Sequence, residues 1–121
     1  MTRSDLQATI LVASHDTQLA DVRKTVLEGA GYLVIPASNL LEIQAACDTS
    51  HIKLAIVGHS LPPKERRRVG LEIRQVCGVS TPILELHDGE GPTLADLAAT
   101  KGHLSQEGDD FLEKVRELLR G

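Results

Sequence analysis

Apolar positions fall into short runs separated by longer stretches that repeat at helical spacing. The clearest run is Leu54, Ala55, Ile56 and Val57, four apolar residues without a break. Such a run suits a strand buried on both faces of a parallel sheet. It stops at Gly58, and Leu61-Pro62 and a cationic segment follow. Similar runs at 8–13, 32–35 and 83–86 predict three further strands, and 103–105 predicts a weak fifth. Between them lie amphipathic stretches. Leu19, Val22, Val26, Leu27 and Ala30 recur at helical spacing, with Asp21, Arg23, Lys24 and Glu28 assigned to the solvent face. Ser14 or Asp16 can cap that helix, and Gly29 and Gly31 bracket its end.

Pro36 is expected to end the second strand. Asn39 can cap a second helix through Leu40, Leu41, Ile43, Ala45 and Ala46. A third carries Val69, Ile73 and Val76 and ends at Gly78. Residues 87–92 read as a polar, glycine-rich loop, and 93–100 as a short helix with Leu94, Leu97 and Ala98 inward. The last helix, capped by Asp109 or Asp110, has the strongest stripe: Phe111, Leu112, Val115, Leu118 and Leu119. Five β-α units in alternation predict one α/β domain over 1–121, doubly wound with helices on both faces of a parallel sheet. The flavodoxin-like strand order 2-1-3-4-5 is expected. Residues 1–7 are a polar lead-in.

Composition narrows the function classes. The 121-residue chain is 41% hydrophobic and 25% charged, ordinary for a soluble domain of that size. Aromatics are only 2%, Tyr32 and Phe111 without tryptophan, which argues against stacking on single-stranded nucleic acid. A net charge of −4 gives no electrostatic footprint for a nucleic-acid backbone. No apolar run is long enough to span a membrane. Cys47 and Cys77 lack metal-site spacing and read as reduced, inert thiols of a cytoplasmic protein.

Several landmarks together carry a family resemblance. They are Ile10-Leu11-Val12, the Glu28-Gly29-Ala30-Gly31-Tyr32 corner, residues 54–62, Gly70-Leu71-Glu72, Thr81-Pro82-Ile83-Leu84, and Glu113-Lys114-Val115-Arg116 in the last helix. In that order and spacing the chain resembles the receiver domain of two-component response regulators along nearly its whole length. The resemblance implies phosphotransfer to an aspartate at the tip of the third strand. That chemistry needs a carboxylate nucleophile, acidic residues that hold Mg²⁺, and a cation for the phosphoryl oxygens.

At those positions this chain departs from the family. Gly58 stands where the acceptor aspartate belongs, and Ser14 and His15 stand for the acidic pair, with Asp16 one step beyond. His87 replaces the hydroxyl residue of the fourth strand. Gln106-Glu107 replaces the Lys-Pro pair, and His103 takes the aromatic switch position. The resemblance thus implies a pseudo-receiver with a vestigial pocket at Ser14, His15, Asp16, Gly58, His87 and Gln106, no cofactor, and lost or weak Mg²⁺ binding. It is not expected to be an enzyme. Its function is expected to be phosphorylation-independent protein interaction in the cytoplasm, with a signalling kinase, an output domain or a twin copy as partner. Leu97, Ala98, Lys101, His103, Glu113 and Arg116 are the candidate contacts, and neither nucleic acid nor membrane is a partner of this domain.

Two other features point to an alternative, a receiver-like domain sensing a metal or small anion. His15, His59 and His87 should lie near the carboxyl edge of the sheet and could ligate a metal. The loop after the third strand is read as about three residues longer than the family's turn, with Lys64-Glu65-Arg66-Arg67 as the extra material, and Lys64, Arg66, Arg67 and Arg68 form a basic knot over the pocket that could hold an anion. The bland reading of Gly58 is a lost nucleophile; the sharper one is close approach of another group.

Overall fold

The computed structural model describes residues 8–58, 62–86, 91–92 and 106–120. Among them run β1 (Thr9–Ala13), α1 (Thr17–Gly29), β2 (Leu33–Ala37), α2 (Leu40–Thr49), β3 (Ile52–Val57), α3 (Pro63–Val76), β4 (Ile83–Glu85) and α4 (Gln106–Arg120). The four strands form one parallel sheet in the order β2-β1-β3-β4. That agrees with the first four places of the expected order. The helix expected over 93–100 and the strand over 103–105 lie outside the described residues.

Strand alternation divides the core into two layers. Ile10, Val12, Leu54 and Ile56 face one side and pack with Val26 and Leu27 of α1 and Phe111, Leu112 and Val115 of α4. Leu11, Ala13, Ala55 and Val57 face the other and pack with Ile43 and Ala46 of α2 and Val69 and Ile73 of α3. The aliphatic composition suffices because both faces of β1 and β3 are covered. No helix among the described residues is long and apolar enough to cross a membrane.

Local chemistry sets the element ends. Asp16 is the N-cap of α1: its Oδ1 accepts from the Gln18 and Leu19 amides at 3.0 and 3.1 Å. Asn39 caps α2 by accepting from the Glu42 amide at 2.9 Å. The Glu42 carboxylate reaches back to the Ser38 amide at 2.7 Å, a reciprocal arrangement of the capping-box kind.

Four expectations are corrected. Pro36 lies inside β2, paired with Val12; among the described residues β2 pairs with β1 alone, so the missing proline N–H costs no ladder bond there. Lys64, Glu65, Arg66 and Arg67 are not an added loop but the first turns of α3, which starts at Pro63. Proline suits a first helical position, and lysine, glutamate and arginine are good helix formers. The last helix starts at Gln106 rather than after Asp109 or Asp110, and the Gln106 side-chain Nε2 donates to Asp110 Oδ1 at 2.9 Å within its first turn.

The fourth concerns the thiols. Cys47 and Cys77 are joined as a disulfide, with their Cα atoms 5.0 Å apart. Cys47 lies near the end of α2 and Cys77 caps α3, and these helices lie side by side on one face of the sheet. The spacing lies within the range a disulfide accommodates. The pairing removes the free thiols on which the expectation of a cytoplasmic setting partly rested.

Candidate functional site

The carboxyl edge of the sheet is where an open α/β fold presents its functional groups. Main-chain bonds hold the strand tips in line: the Ser14 amide donates to Ala37 O, the Gly58 amide to Ala13 O, and the Leu86 amide to Val57 O. Gly58, following Val57, has the alternation that puts a side chain on the same face as Leu54 and Ile56, toward α1. What meets it there is Arg23.

Arg23 is the largest fully buried side chain in the described structure, 1% exposed. A Cβ built on Gly58 would clash with Arg23 Nη1 and stand 3.3 Å from Cζ and 3.5 Å from Nη2. A Cβ on Gly91 would lie 4.0 Å from Arg23 Nε. Gly58 is therefore a place of close approach as well as a strand tip without a side chain. Arg23 Nε and Nη1 are buried with no hydrogen-bond partner. Burial pulls the Arg23 pKa below its ordinary value, and the negative charge of Asp16 partly offsets this.

Arg23 was assigned from the sequence to the solvent face, and that assignment is overturned. Its position shows why it is inward. It stands three residues after Ala20 and four before Leu27, both buried, so it shares their stripe of α1. The charge of the side chain concealed a position that the helical period already marked.

The remaining site residues separate. Ser14 is buried at the tip of β1, where its Oγ accepts from the Asp16 amide at 3.1 Å. His15 is exposed, with Nε2 3.4 Å from Glu65 Oε2 on α3. Together with Ser38, Asn39, Arg68 and an apolar floor that includes Ile43 and Val69, they line a cavity of about 180 Å³ between the β1 and β2 tips and helices α2 and α3. Arg66 and Arg67 turn elsewhere, lining a groove with Arg74, Ile83 and Glu85 beside β4. The four cations thus do not form one knot over the pocket. Gln106 is at the start of α4, and Glu113 and Arg116 are exposed on that helix. His59, His87, Leu97, Ala98, Lys101 and His103 lie outside the described residues.

Among the described residues the donor set does not fit the Mg²⁺ site that the receiver chemistry requires. Gly58 offers no oxygen ligand from a side chain, His15 is engaged with Glu65, and Asp16 Oδ1 is committed to two helix amides. A guanidinium lies at the strand tip where a divalent cation would need carboxylates. Among the described residues no group of three histidine, cysteine or acidic side chains could hold a metal.

No protein-family model matches the chain, and no curated protein does. Among solved structures, the crystal structure of a response regulator from Thermotoga maritima is similar at a TM-score of 0.64 and 17% identity. The match covers 95% of this chain and 99% of that one. At that level of identity the likeness is one of architecture: this chain has the α/β fold, with a parallel sheet flanked by helices, seen in that response regulator.

Proposed function

We propose that this domain is a receiver-type protein-interaction module that works without phosphorylation and catalyses no reaction. The observation that carries this reading is the pairing of Gly58 with the buried Arg23 guanidinium at the tip of β3. An aspartyl phosphate needs a carboxylate nucleophile and a bound divalent cation. Here the strand tip supplies no side-chain carboxylate, and a buried cation of the protein's own stands against it.

A domain of this kind presents its partner surface constitutively, or changes it only through differential partner affinity. The exposed Glu113 and Arg116 on α4 are its described contact candidates, with a signalling kinase, an output domain or a second copy as the class of partner. The test is incubation with acetyl phosphate and Mg²⁺ followed by intact-mass measurement. The mass is expected to remain unchanged. A stoichiometric phosphoryl adduct, labile to hydroxylamine as acyl phosphates are, overturns the proposal.

A further inference from the structure

We propose that the Arg23 guanidinium is the seat of a noncovalent site for a small oxyanion at the carboxyl edge of the sheet, formed with Gly58 and Gly91. A guanidinium carries five donors and keeps its charge at any pH the fold survives. Buried polar groups in folded proteins nearly always have partners, and a buried charge needs them more than a neutral group does. Arg23 leaves two of its three nitrogens, Nε and Nη1, without any. Asp16 is the acidic group whose charge acts on it, yet its Oδ1 is taken by the Gln18 and Leu19 amides, and no ion pair joins the two residues. Arg66 also has an orphaned Nε, but it is only half-buried on the helix surface.

The surroundings fit an anion. Two glycines flank the guanidinium: Gly58 packs so closely on Nη1 that a Cβ there would clash, whereas a Cβ on Gly91 would stand 4.0 Å from Nε, so the Nε edge is the side left without a side chain over it. An oxyanion brings several acceptor oxygens and a compensating charge in one small group, so on the Nε edge of the guanidinium it can bond the orphaned Nε together with the adjacent Nη2 through charge-assisted bonds. The site is separate from the His15–Glu65 cavity, whose lining does not include Arg23. It also does not depend on whether the domain is phosphorylated: covalent transfer is read by mass, and this binding by reversible titration.

The experiment is an NMR titration of the ¹⁵N-labelled protein with inorganic phosphate and, in a second arm, with acetate, at ionic strength held constant with chloride. The expected result is a saturable shift of the Arg23 Nε–H resonance together with the Gly58 and Gly91 amides. The arm that saturates at lower concentration identifies phosphate-type or carboxylate-type anions as the ligand. Arg23→Met should abolish the response, and Arg67→Met should leave it intact. Arg23→Lys, which keeps the charge but loses the planar donors, should weaken binding by on the order of tenfold. The proposal is overturned if neither anion moves these resonances, if only residues 66–68 respond, or if the response survives Arg23→Met.

Discussion

Replacing Arg23 by methionine keeps the apolar stem of the side chain and removes the guanidinium. The native group is 1% exposed, with two unmet donors and no ion-pair partner among the described residues. Exchanging buried ionic groups for apolar residues of similar size is neutral or stabilising by about 1–4 kcal/mol. Methionine is shorter than arginine, and the space it vacates subtracts about 1 kcal/mol. The net effect expected in phosphate-free buffer lies between a loss of about 1 and a gain of about 3 kcal/mol, and each kcal/mol should move Tm by about 4 °C for a domain of this size. Gly58→Ala tests the same contact from the other side. Its Cβ would press on Nη1, Cζ and Nη2, so in the native protein the change should cost about 1–3 kcal/mol through overpacking. Methionine at 23 lacks all three of those atoms, so Gly58→Ala in that background should cost less than about 1 kcal/mol. Urea unfolding of the two single variants and the double variant gives the coupling energy directly. A loss of more than about 2 kcal/mol for Arg23→Met, or additive effects, would refute the reasoning, because the guanidinium would then be well satisfied or remote from Gly58.

Breaking the Cys47–Cys77 crosslink by Cys47→Ser with Cys77→Ser should lower unfolding stability by about 3–4 kcal/mol, from the loop-closure entropy of a 30-residue separation; equilibrium unfolding of the double variant checks this. Asp16→Ala removes the acceptor for two helix amides and should cost about 1 kcal/mol, read from the shift in urea midpoint. The Ser38 amide and then the Ser38 hydroxyl hold the Glu42 pKa below its ordinary value of 4.5. A folded-state pKa depressed in this way contributes stability that is complete above the unfolded value and fades as pH falls through the lower folded one. The stability difference between the native protein and Glu42→Gln should therefore be present at neutral pH and shrink on acidification below about pH 4.5, as a pH series of unfolding curves would show.

The strands and helices were legible where burial imposes a period. The run from Leu54 to Val57, uniformly apolar, lies in the central strand β3, and the stripe of Phe111, Leu112 and Val115 is the buried face of α4. Strand order was legible too, since β-α alternation leaves few topologies. Errors arose where a local rule met a tertiary exception. Pro36 is tolerated because β2 has, among the described residues, a neighbour on one side only. The start of α3 was misplaced because its cationic first turns carry no apolar period. The two cysteines meet because α2 and α3 pack side by side on one face of the sheet although β3 separates them in the chain, which chain spacing does not reveal.

The site divided in the same way. Gly58 was legible as a strand tip without a side chain, but its neighbour was not. A charged residue on a helix is usually solvated, and that rule hid Arg23 although Ala20 and Leu27 marked its face as buried. Arg66, Arg67 and Arg68 are consecutive on a helix, yet Arg68 lines the cavity beside His15 while Arg66 and Arg67 line the groove beside β4.

The most direct test of the central claim, that the tip of β3 supports no aspartyl phosphate, is amide NMR of the native protein with Mg²⁺ and then acetyl phosphate. The resonances of Ser14, Asp16 and Gly58 should not move with Mg²⁺, and adding acetyl phosphate should produce no second, slowly decaying set of peaks. Saturable Mg²⁺ shifts at these residues, followed by a new set that decays as the phosphodonor is consumed, would contradict the account.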